Sequence, residues 1–299
     1  MSRAVLITNP AAARTTHQSV KLVSDVFRRA GWRFEVAATT GPDSARKLAA
    51  HAVSDDADLV VVQGGDGTTM QAASSLVGTD VALGLVPGGT GNLLAGNLRI
   101  PRTVTRAAEA LVRGKRRRID LGLMDRAHGA TYFSVACGAG LDAWVMNQTS
   151  SEEKRRWGIG AYIATTLRVL PEFRSFAAHV TVDDVEYDAE AAMILVANCG
   201  EVIPPFIRLG HGISPWDGEL DVVVVRASDV WEGMRAVWHV LRELPVTGGS
   251  GTFIGYARGR TVRIETDSTQ PVELDGEAGG ATPFTASVVP EAISVVVPA

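Results

Sequence analysis

The sequence predicts an α/β N-terminal domain built on a parallel sheet, followed by a mostly-β sandwich C-terminal domain. Three observations carry this. Up to residue 119, strand-length apolar runs alternate with apolar stripes of helical period, as in a parallel sheet with helices on both faces. After residue 120, short strand-like runs follow one another across turns, as in a β-sandwich. The 299 residues, 46% of them hydrophobic, suffice for two separate cores.

The elements follow in order. Ala4–Ile7 reads as a first strand, closed by Asn9-Pro10, because Pro10 blocks pairing. Val20, Val23, Phe27 and Ala30 form a helical stripe that ends at Gly31. Arg33–Ala38 alternates as a second strand. Pro42 then sits near the first position of a helix carrying Ala45, Leu48, Ala49 and Ala52. Leu59–Val62 is four apolar residues, three of them β-branched, which fits a strand buried on both faces. Ligands of such sheets bind at the carboxyl ends of the strands, where Asn9, Thr40 and Asp66 fall.

The third strand runs into Gly64-Gly65-Asp66-Gly67-Thr68, after which Met70, Ala73 and Val77 recur at helical spacing, so a helix is expected from about Thr68. A strand, a glycine turn and a helix start make a phosphate site: the backbone can approach the anion, and the helix end adds positive charge. Neither the dinucleotide fingerprint nor the P-loop pattern fits. A second glycine turn, Pro87-Gly88-Gly89-Thr90-Gly91-Asn92, follows the strand Val81–Val86 and opens another helix.

Gly-Gly-Asp-Gly-Thr resembles the nucleotide loop of the diacylglycerol kinase catalytic family, which includes sphingosine and ceramide kinases and bacterial lipid kinases. NAD kinases and phosphofructokinases carry related loops, and the resemblance implies their kind of N-terminal fold. Pro87–Asn92 is similar to the lipid-kinase Pro-x-Gly-Thr-x-Asn segment rather than to that of NAD kinases. The resemblance implies ATP on Asn9, Pro10, Ala11, Ala12, Ala13, Thr40, Gly65, Asp66, Gly67, Thr68, Thr69, Met70, Gln71 and Thr90, in a cleft between the domains. Three positions depart from the family: Ala13 stands for a usual Gly, Gln71 for Glu and Leu93 for Asp. Gln71 can still hydrogen-bond a ribose or ring nitrogen, whereas Leu93 cannot join an acidic metal-and-water network.

Thr103–Val112 reads as a helix inside a basic run. Residues 102–118 carry a net charge of +6, against -4 for the chain. This run reads either as a contact for anionic lipid headgroups or as a solvated turn between domains. Residues 120–291 are expected to form the second domain, and residues 292–299 to return a last strand to the first.

Leu121–Met124 and Thr131–Cys137 read as one hairpin. Further strands are expected at Ala177–Val182, Val185–Ala189, Ala192–Ala197, Leu220–Arg226, Thr252–Ala257, Thr261–Thr266 and Pro271–Leu274, with helices near 152–170 and 230–244. Gly158–Ile163 resembles a family helix beside the lipid cleft, where Trp157, Tyr162, Leu167 and Leu170 would line an acyl pocket, though core packing is the favoured account of these four. Ser214–Leu220 resembles a family turn that holds a structural magnesium, which implies Ser214, Asp217 and Glu219 as ligands. Hard oxygen donors on a tight turn suit that ion. Glu273–Glu277 resembles the catalytic Asp-Gly-Glu turn, which implies Glu277 as general base and Asp275 as its orienting neighbour.

The expected activity is transfer of the ATP γ-phosphate to a lipid hydroxyl, diacylglycerol first, with ATP and Mg2+ as cofactors and Asp66 at the catalytic loop. A sphingoid-base or other lipid-alcohol kinase is the rival; an NAD kinase or a silent lipid- or nucleotide-binding protein ranks below it. Cys137 and Cys199 lie in apolar runs and read as reduced core residues of a cytoplasmic protein. No apolar run is long enough to span a membrane, so the substrate is expected to be met peripherally, at an anionic membrane surface. The charge gives no bias toward nucleic acid, and a homodimer is left open.

Overall fold

In the computed structural model, residues 2–127, 129–148, 165, 175–203, 207–209, 212–226 and 254–299 are described. The helices expected near 152–170 and 230–244, including Trp157 and the Gly158–Ile163 motif, lie outside them. The chain forms two compact units, Met1–Ile119 with Glu291–Ala299, and Asp120–Pro290.

The first unit contains β1 (Arg3–Thr8), α1 (His17–Arg29), β2 (Arg33–Ala38), α2 (Ser44–Ser54), β3 (Leu59–Gly64), α3 (Asp66–Leu76), β4 (Ala82–Pro87), α4 (Leu93–Asn97) and α5 (Val104–Arg113). β2, β1, β3 and β4 lie side by side, all parallel, with Leu6 opposite Val36 and Val61, and Val61 opposite Gly84. β3 and β4 are buried along their whole length, which is why their sequences do not alternate. Thr16 starts α1 with a capping box through Ser19, and Phe27 of that helix stacks on Phe34 of β2 at 4.7 Å. Each large side chain buried in this way contributes about 1.5–3 kcal/mol. α1 packs with α5 and α2 with α3.

Two boundaries differ from expectation. Pro42 lies before α2, not in its first turn, because the chain turns over Gly41 and the cap falls on Asp43 at φ 56. α3 starts at Asp66 rather than Thr68, and β3 runs on through Gln63 and Gly64. Gly65 alone separates strand from helix, so the glycine segment is no open loop.

The chain continues with β5 (Lys115–Arg126), β6 (Gly129–Phe133), β7 (Ala136–Gly140), α6 (Leu141–Gln148), β8 (Phe176–Val182), β9 (Val185–Ala191), β10 (Met193–Ala197), β11 (Glu201–Ile203), β12 (Ile207–Arg208), β13 (Leu220–Val225), β14 (Ile254–Gly259), β15 (Thr261–Thr266), β16 (Pro271–Leu274), β17 (Glu277–Ala281) and β18 (Phe284–Val297). In the second unit, one sheet has the order β14-β13-β10-β7-β16-β17. The other carries β9, β8 and β15 with the first part of β18. Phe133, Phe176, Val180, Ile194, Val222, Ile264 and Phe284 are buried in one apolar core with strands from both.

The single strand expected over Thr131–Cys137 is two strands, β6 and β7, in different sheets. The break falls at Ser134 and Val135, whose N–H groups are taken by the Asp275 carboxylate instead of a ladder. β18 (Phe284–Val297) also starts earlier than the strand expected within 292–299. It turns at Pro290 and Glu291 (φ 49), and its end pairs parallel to β4 through Ser294 and Val295. Among the described residues no helix is long and apolar enough to cross a membrane.

Candidate active-site groups in each unit

Three loops meet at the carboxyl edge of the first unit's sheet. The connections leave β1 and β3 in opposite directions, toward β2 and β4, which opens a crevice between these two strand ends. The Asn9 amide donates to the Thr68 hydroxyl at 3.0 Å, and its oxygen accepts the Ala11 N–H at 3.0 Å. The Arg14 N–H donates to the Gly88 carbonyl at 2.9 Å, joining the first loop to the third. The Asp66 carboxylate then accepts the N–H groups of Asn92 at 2.8 Å and Leu93 at 2.6 Å. Asn92 (φ 52) bonds the Gly89 N–H and carbonyl with its own amide.

Asp66 is therefore a clasp between the two glycine segments. It satisfies donors at the start of α4, where a carboxylate also suits the helix dipole. The glycines serve the same contact. A Cβ on Gly89 would meet the Gly65 Cα at 2.5 Å, and one on Gly91 would meet the Asp66 carboxylate at 2.7 Å. Their lack of side chains lets the loops lie against each other, a use of glycine that the sequence reading assigned to phosphate approach alone. No side chain caps α3, so its first turn, Asp66-Gly67-Thr68, keeps the character of an anion site.

Around this core, Pro10, Ala11, Ala13, Thr40 and Thr90 are exposed, with Ala12 half-buried. The Thr40 N–H is taken by Ser44 at 3.2 Å. Thr69 is buried, and Met70 and Gln71 lie further into α3, past its terminus. Asn92 was legible as part of a motif, but its pairing with Asp66 was not.

In the second unit, Asp275 (φ 48) and Gly276 (φ 80) join β16 to β17 by a two-residue hairpin turn. Left-handed backbone at both positions is what a type I′ turn requires. Asp275 is buried. Its carboxylate accepts N–H groups from Ser134 at 2.7 Å, Val135 at 2.8 Å and Ala136 at 3.2 Å, and the Ser134 hydroxyl at 3.0 Å. Burial raises its pKa, and these donated bonds pull it back. Glu277 begins β17 and is exposed. Both cysteines are buried, and desolvation pushes both thiols well up, so neither is a nucleophile.

The turn over Ser214–Asp221 is held by its own acids together with Asp120 of β5. Asp120 accepts the Gly218 N–H at 2.8 Å, and Asp217 accepts the Glu219 N–H at 3.2 Å. The Asp221 carboxylate accepts Arg258 Nε at 2.8 Å, and the same guanidinium lies 3.6 Å from the Glu219 carboxylate. Desolvation raises the pKa of Asp217, against the Glu219 N–H and Arg258. Among the described residues no three acidic, His or Cys side chains are gathered for a metal. The set predicted from sequence, hydroxyl, carboxylate and carbonyl oxygens of Ser214, Asp217 and Glu219, fits Mg2+ in kind, with water completing the shell.

The end of the basic run is strand rather than turn, since Lys115–Arg118 open β5. Arg116 donates to the carbonyls of Asp58 and Asp80, and Arg118 to those of Glu291 and Thr79 and to the Asp80 carboxylate at 3.2 Å. Asp58 and Asp80 precede β3 and β4, so these arginines bind the amino edge of the sheet. Six-residue strands place that edge roughly 20 Å from the glycine loops. We expect the double substitution Arg116→Gln with Arg118→Gln to cost about 1–2 kcal/mol, read as a fall of a few degrees in Tm. Vesicle binding lost at unchanged Tm would instead support the headgroup role.

Comparison with known proteins covers nearly the whole chain. Residues 3–124 match the diacylglycerol kinase catalytic domain, and residues 135–297 match the YegS C-terminal NAD kinase beta sandwich-like domain. The diacylglycerol kinase of Bacillus subtilis (strain 168) is 28% identical over 287 residues, covering 95% of this chain and 92% of that protein. A Chromohalobacter salexigens protein named "Probable lipid kinase YegS-like" is 27% identical over 280 residues, 91% of this chain and 86% of its own. An uncharacterized Synechocystis protein, sll0036, is 26% identical over 241 residues, and the match spans 80% of this chain and 55% of that one. Among solved structures, one from Bacillus anthracis str. Sterne aligns with TM-score 0.82 at 25% identity, over 99% of this chain and 97% of that one. The crystal structure of a diacylglycerol kinase from the same organism aligns with TM-score 0.77 over the same shares at 20% identity, a likeness of fold alone.

Proposed function

We propose a function from one premise: the chain belongs to the lipid kinase family in which a diacylglycerol kinase catalytic domain is followed by a YegS-type β-sandwich domain. Within that family we read it as an ATP-dependent kinase that phosphorylates the free hydroxyl of diacylglycerol. The observation that carries this is the clasped carboxyl edge, where Asp66, Asn92, Asn9 and Thr68 lock three loops around the uncapped start of α3. Such an edge fixes backbone donors where a polyphosphate needs them, and phosphoryl transfer depends mostly on positioning and electrostatics.

Glu277 is the proposed base. It is the exposed carboxylate of the Asp-Gly-Glu turn, while Asp275 spends its oxygens on four donors. Mg2+ would be held by Ser214, Asp217 and the Glu219 carbonyl, where it would offset the negative charge of the turn. We expect Mg2+ to raise Tm in the wild type and not in Asp217→Asn. An equal rise in both would move the ion elsewhere. The lipid would be taken from a membrane surface by a peripheral protein.

The deciding measurement is transfer of radiolabelled γ-phosphate from ATP to a panel of lipids with NAD included. Label in phosphatidic acid supports the reading. Label in a sphingoid base changes the substrate, label in NAD overturns the lipid assignment, and tight ATP binding without transfer marks a silent binder.

A further inference from the structure

The hairpin that carries Glu277 has one residue too many. Leu274 pairs with Glu277 and Glu273 with Ala278, but Val272 pairs with Gly280, so Gly279 is the extra residue of a β-bulge. Gly279 is buried, and a Cβ there would meet Glu273 and Val272 at 3.0–3.1 Å. A bulge takes one carbonyl out of the ladder, and a buried carbonyl needs another donor. Arg126, the last residue of β5, supplies it: Nη1 donates to the Gly279 oxygen, while Nη2 donates to the Thr131 hydroxyl of β6 at 3.0 Å. Gly280 (φ 98) makes room, since a Cβ there would lie 2.9 Å from Nη1. Both ends of the hairpin are fixed independently, the tip by the Asp275 cage and the base by Thr282, whose N–H donates to the Gln270 carbonyl and whose hydroxyl accepts the Gln270 N–H, both at 3.0 Å.

We propose that Arg126 is a positioning residue that holds this bulge at Gly279 and thereby sets the bend and twist of β17 from which Glu277 projects. A bulge bends its strand and raises the local twist, so releasing its carbonyl re-aims Glu277, two residues away, even while the turn keeps it opposite Leu274. The guanidinium, held by Thr131 outside the hairpin, anchors the bulge at Gly279. Arg126 touches neither substrate nor nucleotide in this assignment; it acts through Glu277. The inference rests on the reading of Glu277 as base.

The test is a double-mutant cycle, with kcat, the KM values for ATP and lipid, and Tm measured for Arg126→Met, Arg126→Lys, Glu277→Gln and each Arg126 variant combined with Glu277→Gln. Arg126→Met is expected to lower kcat at least tenfold with KM for ATP unchanged. Arg126→Lys, which retains one donor, should recover part of that loss. In the Glu277→Gln background, Arg126→Met should have almost no further effect, because the group it positions is already gone. A general structural role would lower kcat equally in both backgrounds, and that result overturns the proposal. If Glu277→Gln alone is fully active, the base assignment fails instead. Should Arg126→Met not fold, the Arg126→Lys cycle gives the same comparison.

Discussion

Glu277→Gln should lower kcat by roughly 10²–10⁴-fold while leaving the ATP dissociation constant and Tm near wild type. The hydroxyl of a lipid alcohol has a high pKa, and its proton must have somewhere to go even in a loose transition state. Glu277 is exposed at the start of β17 and keeps its carboxylate for that proton. Asp275→Asn should behave differently. An Asn amide would turn a donor toward the N–H groups of Ser134, Val135 and Ala136, leaving buried donors unpaired. That costs about 1–3 kcal/mol, so Tm should fall together with activity. Measuring kcat and Tm for both variants separates the roles. Full activity in Glu277→Gln beside a folded but inactive Asp275→Asn would exchange them.

Asp66→Ala should abolish nucleotide-dependent activity in a protein that remains folded. Two charge-assisted bonds, to the Asn92 and Leu93 N–H groups, are lost together. The Gly88 end of the segment stays tied to Gly64 at 3.0 Å, but its Asn92 end loses its hold on Asp66, and the loops part at the place where phosphate is to bind. ATP affinity is expected to fall first, with a drop of several degrees in Tm. Asp66→Asn, which keeps one acceptor oxygen, should be intermediate in both. Wild-type turnover in a folded Asp66→Ala protein would show that the clasp is dispensable.

The parts of the fold that could be read in advance are those whose residues state their own environment. β3 and β4 are uninterrupted apolar runs, and β15 and β16 were bounded by turn residues at the observed ends. β17 could not be read, because Glu-Ala-Gly-Gly-Ala has little strand preference and is held by its partner β16 and by Arg126. The split between β6 and β7 was hidden for a similar reason: its cause is a carboxylate about 140 positions away. The candidate site divides in the same way. Its glycines and acids were legible as motifs, whereas the bond from Asp66 to Asn92 joins residues 26 apart and needs the sheet to exist first. The strand at the end of the basic run was hidden because charge density alone does not reveal that Arg116 and Arg118 face backbone carbonyls.

The path of the chain has a consequence for how the protein is made. The first unit is left at Ile119 and re-entered only at Glu291, where the end of β18 becomes the neighbour of β4. During translation β4 must wait as an open edge while the whole sandwich is synthesised, with Leu83 and Leu85 in need of cover. A stop codon a few residues before Ser294 would therefore injure the glycine-loop unit encoded at the other end of the message.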